Sequence, residues 1–109
     1  GGTDSIIEVG AVKICNGEII DRFDELIDPG RKLPLKITEL TNITDEMLKG
    51  KDNEETVIKR FKKWFGDLPL VAHNAKFDMS FLTVAFDKYN LGEIKNTIIE
   101  KILKGSFIS

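Results

Sequence analysis

Two runs of apolar residues near the start of the chain flank a dipeptide typical of tight turns. The first run covers residues 5–14 and is rich in β-branched residues, as an interior strand would be, and the second alternates over residues 18–27. Asn16-Gly17 lies between them, and both residues accept the positive φ angles of a type I′ turn. Asp28-Pro29-Gly30 ends the second run. The pattern predicts an antiparallel hairpin over residues 5–28.

Residues 34–50 predict two short helices joined by a tight link. Pro34 suits the first position of a helix that reaches about Leu40, and Thr44 suits the N-cap of a second helix that Gly50 ends. Asn42, in the link, tolerates a positive φ angle better than most residues.

The clearest helical pattern follows directly and continues to about residue 66. Asp52 or Asn53 is suited to cap it, and two glutamates occupy its first turn. Its apolar residues recur on one face, which predicts a helix that buries this stripe. The stripe consists of Val57, Ile58, Phe61, Trp64, Phe65 and Leu68.

A short apolar strand and a second amphipathic helix come next. Residues 70–72 predict the strand and residues 76–90 the helix, whereas residues 96–108 fit either a strand or a helical turn. The order hairpin, helix, strand, helix indicates an α/β domain with a mixed sheet.

Composition restricts the kind of protein. A chain of 109 residues supports one modest core, and 41% hydrophobic with 31% charged residues is typical of a soluble globular domain. No apolar run approaches the roughly 20 residues that span a bilayer, and the start lacks a signal-peptide pattern. The single Cys15 favours a reducing, cytoplasmic setting, and the single His73 excludes sites built from several imidazoles.

The charge is unevenly distributed, although the net charge is only −2. Residues 1–57 carry 13 acidic and 7 basic side chains, whereas residues 58–109 carry 5 and 9. Lys59, Arg60, Lys62 and Lys63 lie off the apolar stripe of their helix. A solvated helix face and a nucleic-acid-binding face both fit this pattern, and the former is the commoner case.

The residues best suited to catalysis or metal binding follow the predicted strand at 70–72. His73 and Asn74 come directly after it, where α/β sheets place ligands, and Asp78 lies in the first turn of the next helix. Divalent cations such as Mg²⁺ prefer carboxylate oxygens. Residue types alone leave two bland alternatives open, namely a helix-stabilising charge at Asp78 and a structural His73.

Three ordered segments resemble one enzyme family, the DEDD-type 3′–5′ exonucleases. Residues 6–30 resemble the family's hairpin, and residues 40–44 (Leu-Thr-Asn-Ile-Thr) resemble its Leu-Thr-Gly-Ile-Thr segment, with Asn in place of Gly. Residues 71–78 (Val-Ala-His-Asn-Ala-Lys-Phe-Asp) are similar to its second motif almost letter for letter. Within the family, the likeness is strongest to the proofreading segments of PolC-type replicative polymerases, over roughly residues 5–100.

The resemblance implies an RNase H-like fold and two-metal hydrolysis, with Mg²⁺ or Mn²⁺, of a single-stranded DNA 3′ end. It implies that Asp78 is a catalytic metal ligand and that the remainder of a DNA polymerase chain is a partner. It further places a group of residues at or near the nucleic acid. These are Leu40, Thr41, Ile43, His73, Asn74 and Phe77.

Two of the family's motifs have no counterpart here. The Asp-x-Glu-Thr strand that should precede the hairpin and the His and Asp of the third motif are both missing from the 109 residues. We therefore expect one partial exonuclease domain, inactive by itself, over residues 1–109. Within it we expect the hairpin at 5–28, a helical segment at 34–66, a strand and helix with the second motif at 69–90, and an unassigned tail at 96–109.

Three explanations of the missing strand remain open: a longer parent chain that contains it, a truncated reading frame, or another chain, such as a second copy in a homo-oligomer, that supplies it by strand exchange. The first two are the preferred ones. Two alternatives to a catalytic fragment remain open. One is a non-catalytic remnant that binds nucleic acid or protein, and the other is a small structural or oligomerisation module.

Overall fold

The computed structural model describes residues 6–72 and 75–100, and within these it describes residues 71–72, 75–78 and 99–100 by their backbone alone. Strands and helices follow the order that the sequence predicts. They are β1 (Glu8–Cys15), β2 (Glu18–Leu26), α1 (Leu35–Thr41), α2 (Asp45–Leu48), α3 (Glu54–Phe65), β3 (Leu70–Ala72), α4 (Ala75–Lys88) and β4 (Ile98–Glu100).

β1 and β2 form the predicted antiparallel hairpin. Asn16 and Gly17 turn the chain with φ angles of 52° and 79°, which confirms the turn expected from this dipeptide. The pairing shifts register between Lys13 and Ile14, a bulge that the sequence pattern does not reveal. Burial is confined to the half of the hairpin far from the turn, so the tip, including Ile14, is solvent-exposed.

β3 and β4 form a second, parallel pair, in which Ala72 lies opposite Glu100. Antiparallel and parallel pairing thus both occur, as expected for a mixed α/β arrangement. In the described part of the chain they form two separate two-stranded sheets. Residues 98–100 adopt the strand alternative for the tail, and residues 101–109 lie outside the described residues.

The ends of α1 and α2 follow the predicted local chemistry. Pro34 is the N-cap of α1 and not its first residue, so the helix begins one residue later than predicted. Asn42 ends that helix with a φ angle of 61°. The Thr44 hydroxyl accepts a hydrogen bond from the Met47 N–H and caps α2, and Gly50 follows with a φ angle of 82°. None of the helices within residues 6–72 and 75–100 has the length and apolar character needed to cross a bilayer.

α3 is the central element of the core. The Asn53 side chain caps it by accepting from the Thr56 N–H at 2.9 Å. The predicted stripe is buried except for Trp64, which is partly buried, and Leu68. Leu68 is exposed because α3 ends at Phe65. The stripe packs against residues from both β1 and β2 and from α4. The buried cluster consists of Val9, Ala11, Phe23, Ile27, Val57, Ile58, Phe61, Phe65, Ala85 and Phe86.

Glu54, the first residue of α3, joins three parts of the fold. Its carboxylate accepts from the Tyr89 hydroxyl at 2.8 Å and from the Ile6 N–H at 3.3 Å, and the Lys88 ammonium lies 3.6 Å away. Burial, followed by the hydrogen bond to Glu54, raises the pKa of Tyr89 above 10.0. The contact therefore links the beginning of the hairpin to the end of α4.

We expect Tyr89→Phe to lower the free energy of unfolding by about 1–2 kcal/mol at neutral pH, because the variant removes one hydrogen-bond donor from a partly buried carboxylate. A group with a raised folded-state pKa contributes fully below its unfolded value and loses its contribution as the pH rises through the folded value. Urea unfolding should therefore show the difference between wild type and variant shrinking above pH 10. An equal difference on both sides of that pH would show that the hydroxyl proton contributes nothing.

Candidate nucleic-acid and metal site

The β3–α4 connection places Asp78 at one edge of the parallel pair. β3 and β4 run in the same direction, so Ala72 and Glu100 both lie at the carboxyl edge. α4 begins at Ala75, three residues after β3, and Asp78 falls in its first turn. Backbone N–H groups at a helix start favour an ionised carboxylate. The backbone thus places Asp78 at the sheet edge where α/β proteins bind ligands.

Other members of the second motif are described only in part. His73 and Asn74 lie outside the described residues, and Phe77, like Asp78, is described by its backbone in α4. A carboxylate at Asp78 is the kind of oxygen donor that Mg²⁺ and Mn²⁺ prefer. The side chains that the structure describes form no group of three or more His, Cys, Asp or Glu able to hold a metal ion. The donor chemistry of Asp78 fits a divalent cation as one ligand of a larger set.

The two apolar residues of the Leu-Thr-Asn-Ile-Thr segment differ in exposure to solvent. Leu40 is 71% exposed at the end of α1, whereas Ile43 is only 6% exposed. Leu35, at the start of α1, is also largely exposed, and α1 has no buried residue. Leu40 is therefore available to a ligand, while Ile43 anchors the segment from below.

Local hydrogen bonds hold this segment in shape. The Thr41 hydroxyl donates to the Ile37 carbonyl at 2.7 Å and accepts from the Ile43 N–H at 3.2 Å. The Asn42 N–H donates to the Thr38 carbonyl at 2.8 Å. The left-handed conformation of Asn42 explains why this residue can replace the glycine of the resembled segment. The Thr41 hydroxyl retains one lone pair for a ligand.

The described contacts tie the neighbourhood of α1 to α2. The Leu33 N–H donates to Asp45 in the first turn of α2 at 2.7 Å. Asp78, in contrast, lies on α4. A ligand that contacts both Asp78 and the segment at 40–44 would have to extend from the end of α1 to the start of α4.

Ion pairing divides the basic face of α3, which the sequence alone treats as uniform. Arg60 forms ion pairs with Glu25 on β2 and, at 2.7 Å, with Asp52. The hydrogen bond to Asp52, followed by that to Glu25, raises the pKa of the guanidinium above its ordinary value. Arg60 is therefore a structural tie between the hairpin and α3. The remaining lysines of this face lie beside residues 91–96, which no motif in the sequence marks.

Comparison with known proteins gives a consistent result. The model of a family described as "Exonuclease" matches residues 1–103. Similar curated proteins include the DNA polymerase III PolC-type of Halalkalibacterium halodurans, 51% identical over 105 residues, and that of Listeria monocytogenes, 48% identical over 105 residues. The Bacillus subtilis protein of the same name is 47% identical over 106 residues.

The matched region is nearly the whole of this chain but only a small share of each relative's length. In each case it covers 96% of this chain and 7% of the relative. The likeness thus includes both the second-motif segment and the Leu-Thr-Asn-Ile-Thr segment, within a small part of a much longer polymerase chain.

Proposed function

Because this chain belongs to the exonuclease family, we propose that it is part of a metal-dependent 3′–5′ exonuclease that removes nucleotides from single-stranded DNA ends. The proposal includes a proofreading role within a bacterial replicative polymerase, supported by about half identity to PolC-type polymerases over 96% of the chain. The observation that carries it is the position of Asp78, in the first helical turn after β3 at the carboxyl edge of the parallel pair.

Asp78 has the leading role in this proposal. Divalent cations, when bound, make water a stronger nucleophile and stabilise the charge on the phosphate as the 3′ oxygen leaves. Asp78 would supply a carboxylate oxygen to Mg²⁺ or Mn²⁺. A position in the first turn of a helix suits this task, because backbone N–H groups there favour an ionised carboxylate.

The remaining proposed residues bind the end of the strand. Leu40 presents an apolar side chain on which the terminal base can pack, and the Thr41 hydroxyl can accept a hydrogen bond with its free lone pair. Ile43 holds this surface in place from below. We also propose that His73, Asn74 and Phe77 act near the nucleic acid, because they belong to the same motif as Asp78 in the sequence.

One carboxylate of the expected type does not complete a two-metal site. The 109 residues contain a single histidine and no Asp-x-Glu-Thr sequence. We propose that the other ligands come from further segments of a polymerase chain, since a second copy of these residues would lack the same motifs. The described strands support such an addition, since β1 pairs on one side only, with β2, and its other edge can accept a strand. We also propose a cytoplasmic location, supported by a free and exposed Cys15, which suits a reducing compartment.

The assay that tests this function compares the 109-residue chain with a longer polymerase chain that contains it. With Mn²⁺ and a 5′-labelled single-stranded oligonucleotide, the longer chain should shorten the strand one nucleotide at a time from the 3′ end. The 109-residue chain should release none, because one matching ligand does not hold two cations. EDTA serves as the control for metal dependence.

Two results would contradict the proposal. Release by the 109 residues alone that is lost in Asp78→Ala would show that the site is complete within them. A longer chain that binds the oligonucleotide but never shortens it would instead favour a non-catalytic binding remnant.

A further inference from the structure

A basic groove of about 510 Å³ lies at the end of α3 and α4, away from the first turn of α4 that contains Asp78. Four lysines line it, above the rings of Phe65 and Phe86. We call this surface the lysine groove and define it by Lys59, Lys62, Lys63, Lys95, Phe65 and Phe86.

Two distant parts of the chain bring these lysines together. Lys59, Lys62 and Lys63 are spaced three and four residues apart on α3 and therefore share one side of the helix. Lys95 comes from the segment between α4 and β4. Its neighbour Asn96 fixes that segment by donating from Nδ2 to the carbonyls of Gly66 at 2.9 Å and Leu68 at 2.7 Å.

Most of the positive charge in the groove is available to a ligand. Lys59 pairs with Glu55 at 2.5 Å, but Lys62, Lys63 and Lys95 form no ion pair with any carboxylate that the structure describes. Asp67 and Glu93 also line the groove, without closing an ion pair across it in the described residues. Lys62 and Lys63 complement the dipole in the last turn of α3, but Lys95 belongs to no helix, so dipole compensation does not explain its presence.

We propose that the lysine groove binds the phosphate backbone of a single-stranded nucleic acid. Ammonium groups act as point charges for phosphate oxygens and do not require a fixed geometry. The floor rings are only 3% and 2% exposed, too little for bases to stack on them, so the contact would be electrostatic and independent of sequence.

The choice of a nucleic acid over an acidic protein rests on the proposed function. Asp78 precedes Phe86 by eight residues on α4, a rise of about 12 Å. That distance corresponds to roughly three or four stacked nucleotides at about 3.4 Å each. A strand whose end lies near the start of α4 can therefore reach the lysine groove.

The test measures binding of the 109-residue chain to a fluorescent oligonucleotide of roughly a dozen nucleotides, by anisotropy with EDTA present. Lys62→Gln combined with Lys63→Gln should weaken binding about tenfold at low salt. It should also reduce the slope of log affinity against log salt by about 1.4, because two phosphate contacts are lost. The matched control is Lys49→Gln combined with Lys51→Gln, which removes the same charge outside the groove and should change affinity less than about twofold.

Lys95→Gln is the second test, since it leaves α3 unchanged should the double variant fail to fold. It should weaken binding in the same direction, with a loss of slope of about 0.7. Equal losses in groove and control variants, an unaffected Lys95→Gln variant, or binding of polyglutamate in place of the oligonucleotide would each overturn the proposal. Because EDTA prevents metal-dependent cleavage, the binding measurement does not depend on exonuclease activity. The binding proposal and the exonuclease proposal can therefore fail separately.

Discussion

Asp78→Asn is expected to lower metal-dependent nucleotide release by at least about 10²- to 10³-fold, in the longer polymerase chain that contains this segment. Asparagine has nearly the same shape but provides a neutral oxygen in place of an anionic one. Hard divalent cations bind such an oxygen much more weakly. The measurement is the initial rate of 3′-nucleotide release at saturating oligonucleotide, as a function of Mn²⁺ concentration.

A structural role for Asp78 would produce a different result. Asp78 lies in the first turn of α4, so losing its charge should lower the free energy of unfolding by no more than about 1 kcal/mol. The matched control is Asp87→Asn, an exposed position in the last turns of the same helix, which should leave both rate and stability nearly unchanged. If Asp78→Asn retains the wild-type rate, or loses rate only in proportion to lost folded protein, the carboxylate is a helix-start charge and not a metal ligand.

The parts of the fold that were correctly predicted are those fixed by neighbouring residues. Asn16 and Gly17 have the φ angles that the dipeptide favours, and Thr44 and Asn53 cap the helices that follow them. Each case depends on chemistry within four residues, so the sequence pattern contains it. The start of α4, with Asp78 in its first turn, lies within one residue of the predicted start at residue 76.

Features that depend on distant contacts were not predictable from the pattern. Residues 98–100 become a strand because β3 is available for parallel pairing, and that pairing crosses the whole of α4. Arg60 differs from the other basic residues of its helix face because Glu25 and Asp52, both outside α3, form ion pairs with it. The outward position of Leu68 follows from where α3 ends, which the apolar period does not specify.

The candidate site shows the same division. Leu40 and Ile43 are both aliphatic and lie in one short segment, yet one is exposed and the other is buried. The left-handed residue Asn42 lies between them in the chain. Lys95 joined the basic residues of α3 through the two hydrogen bonds of Asn96, which no local pattern encodes.

Ile58→Ala should lower the free energy of unfolding by about 3–4 kcal/mol, because it creates a cavity in the centre of the core. Ile58 is 1% exposed on the face of α3 that packs against both the hairpin and α4. A domain of this size has a total stability of roughly 5–15 kcal/mol, so the loss is a large part of it. The α3–α4 contact, in which the rings of Phe65 and Phe86 stack at 6.2 Å, should weaken with it.

Ile20→Ala is the matched control, since it removes the same atoms from a side chain that is 63% exposed on β2. There the expected loss is below about 1 kcal/mol and reflects strand propensity alone. Urea unfolding followed by the fluorescence of Trp64, the single tryptophan, gives both values. The ring of Trp64 packs against the core beside Phe23, so its emission reports loss of that packing. Similar losses in the two variants would mean that the inner face of α3 does not join the hairpin to α4. Contacts other than the packing of α3 would then have to hold α4, and with it Asp78, in place.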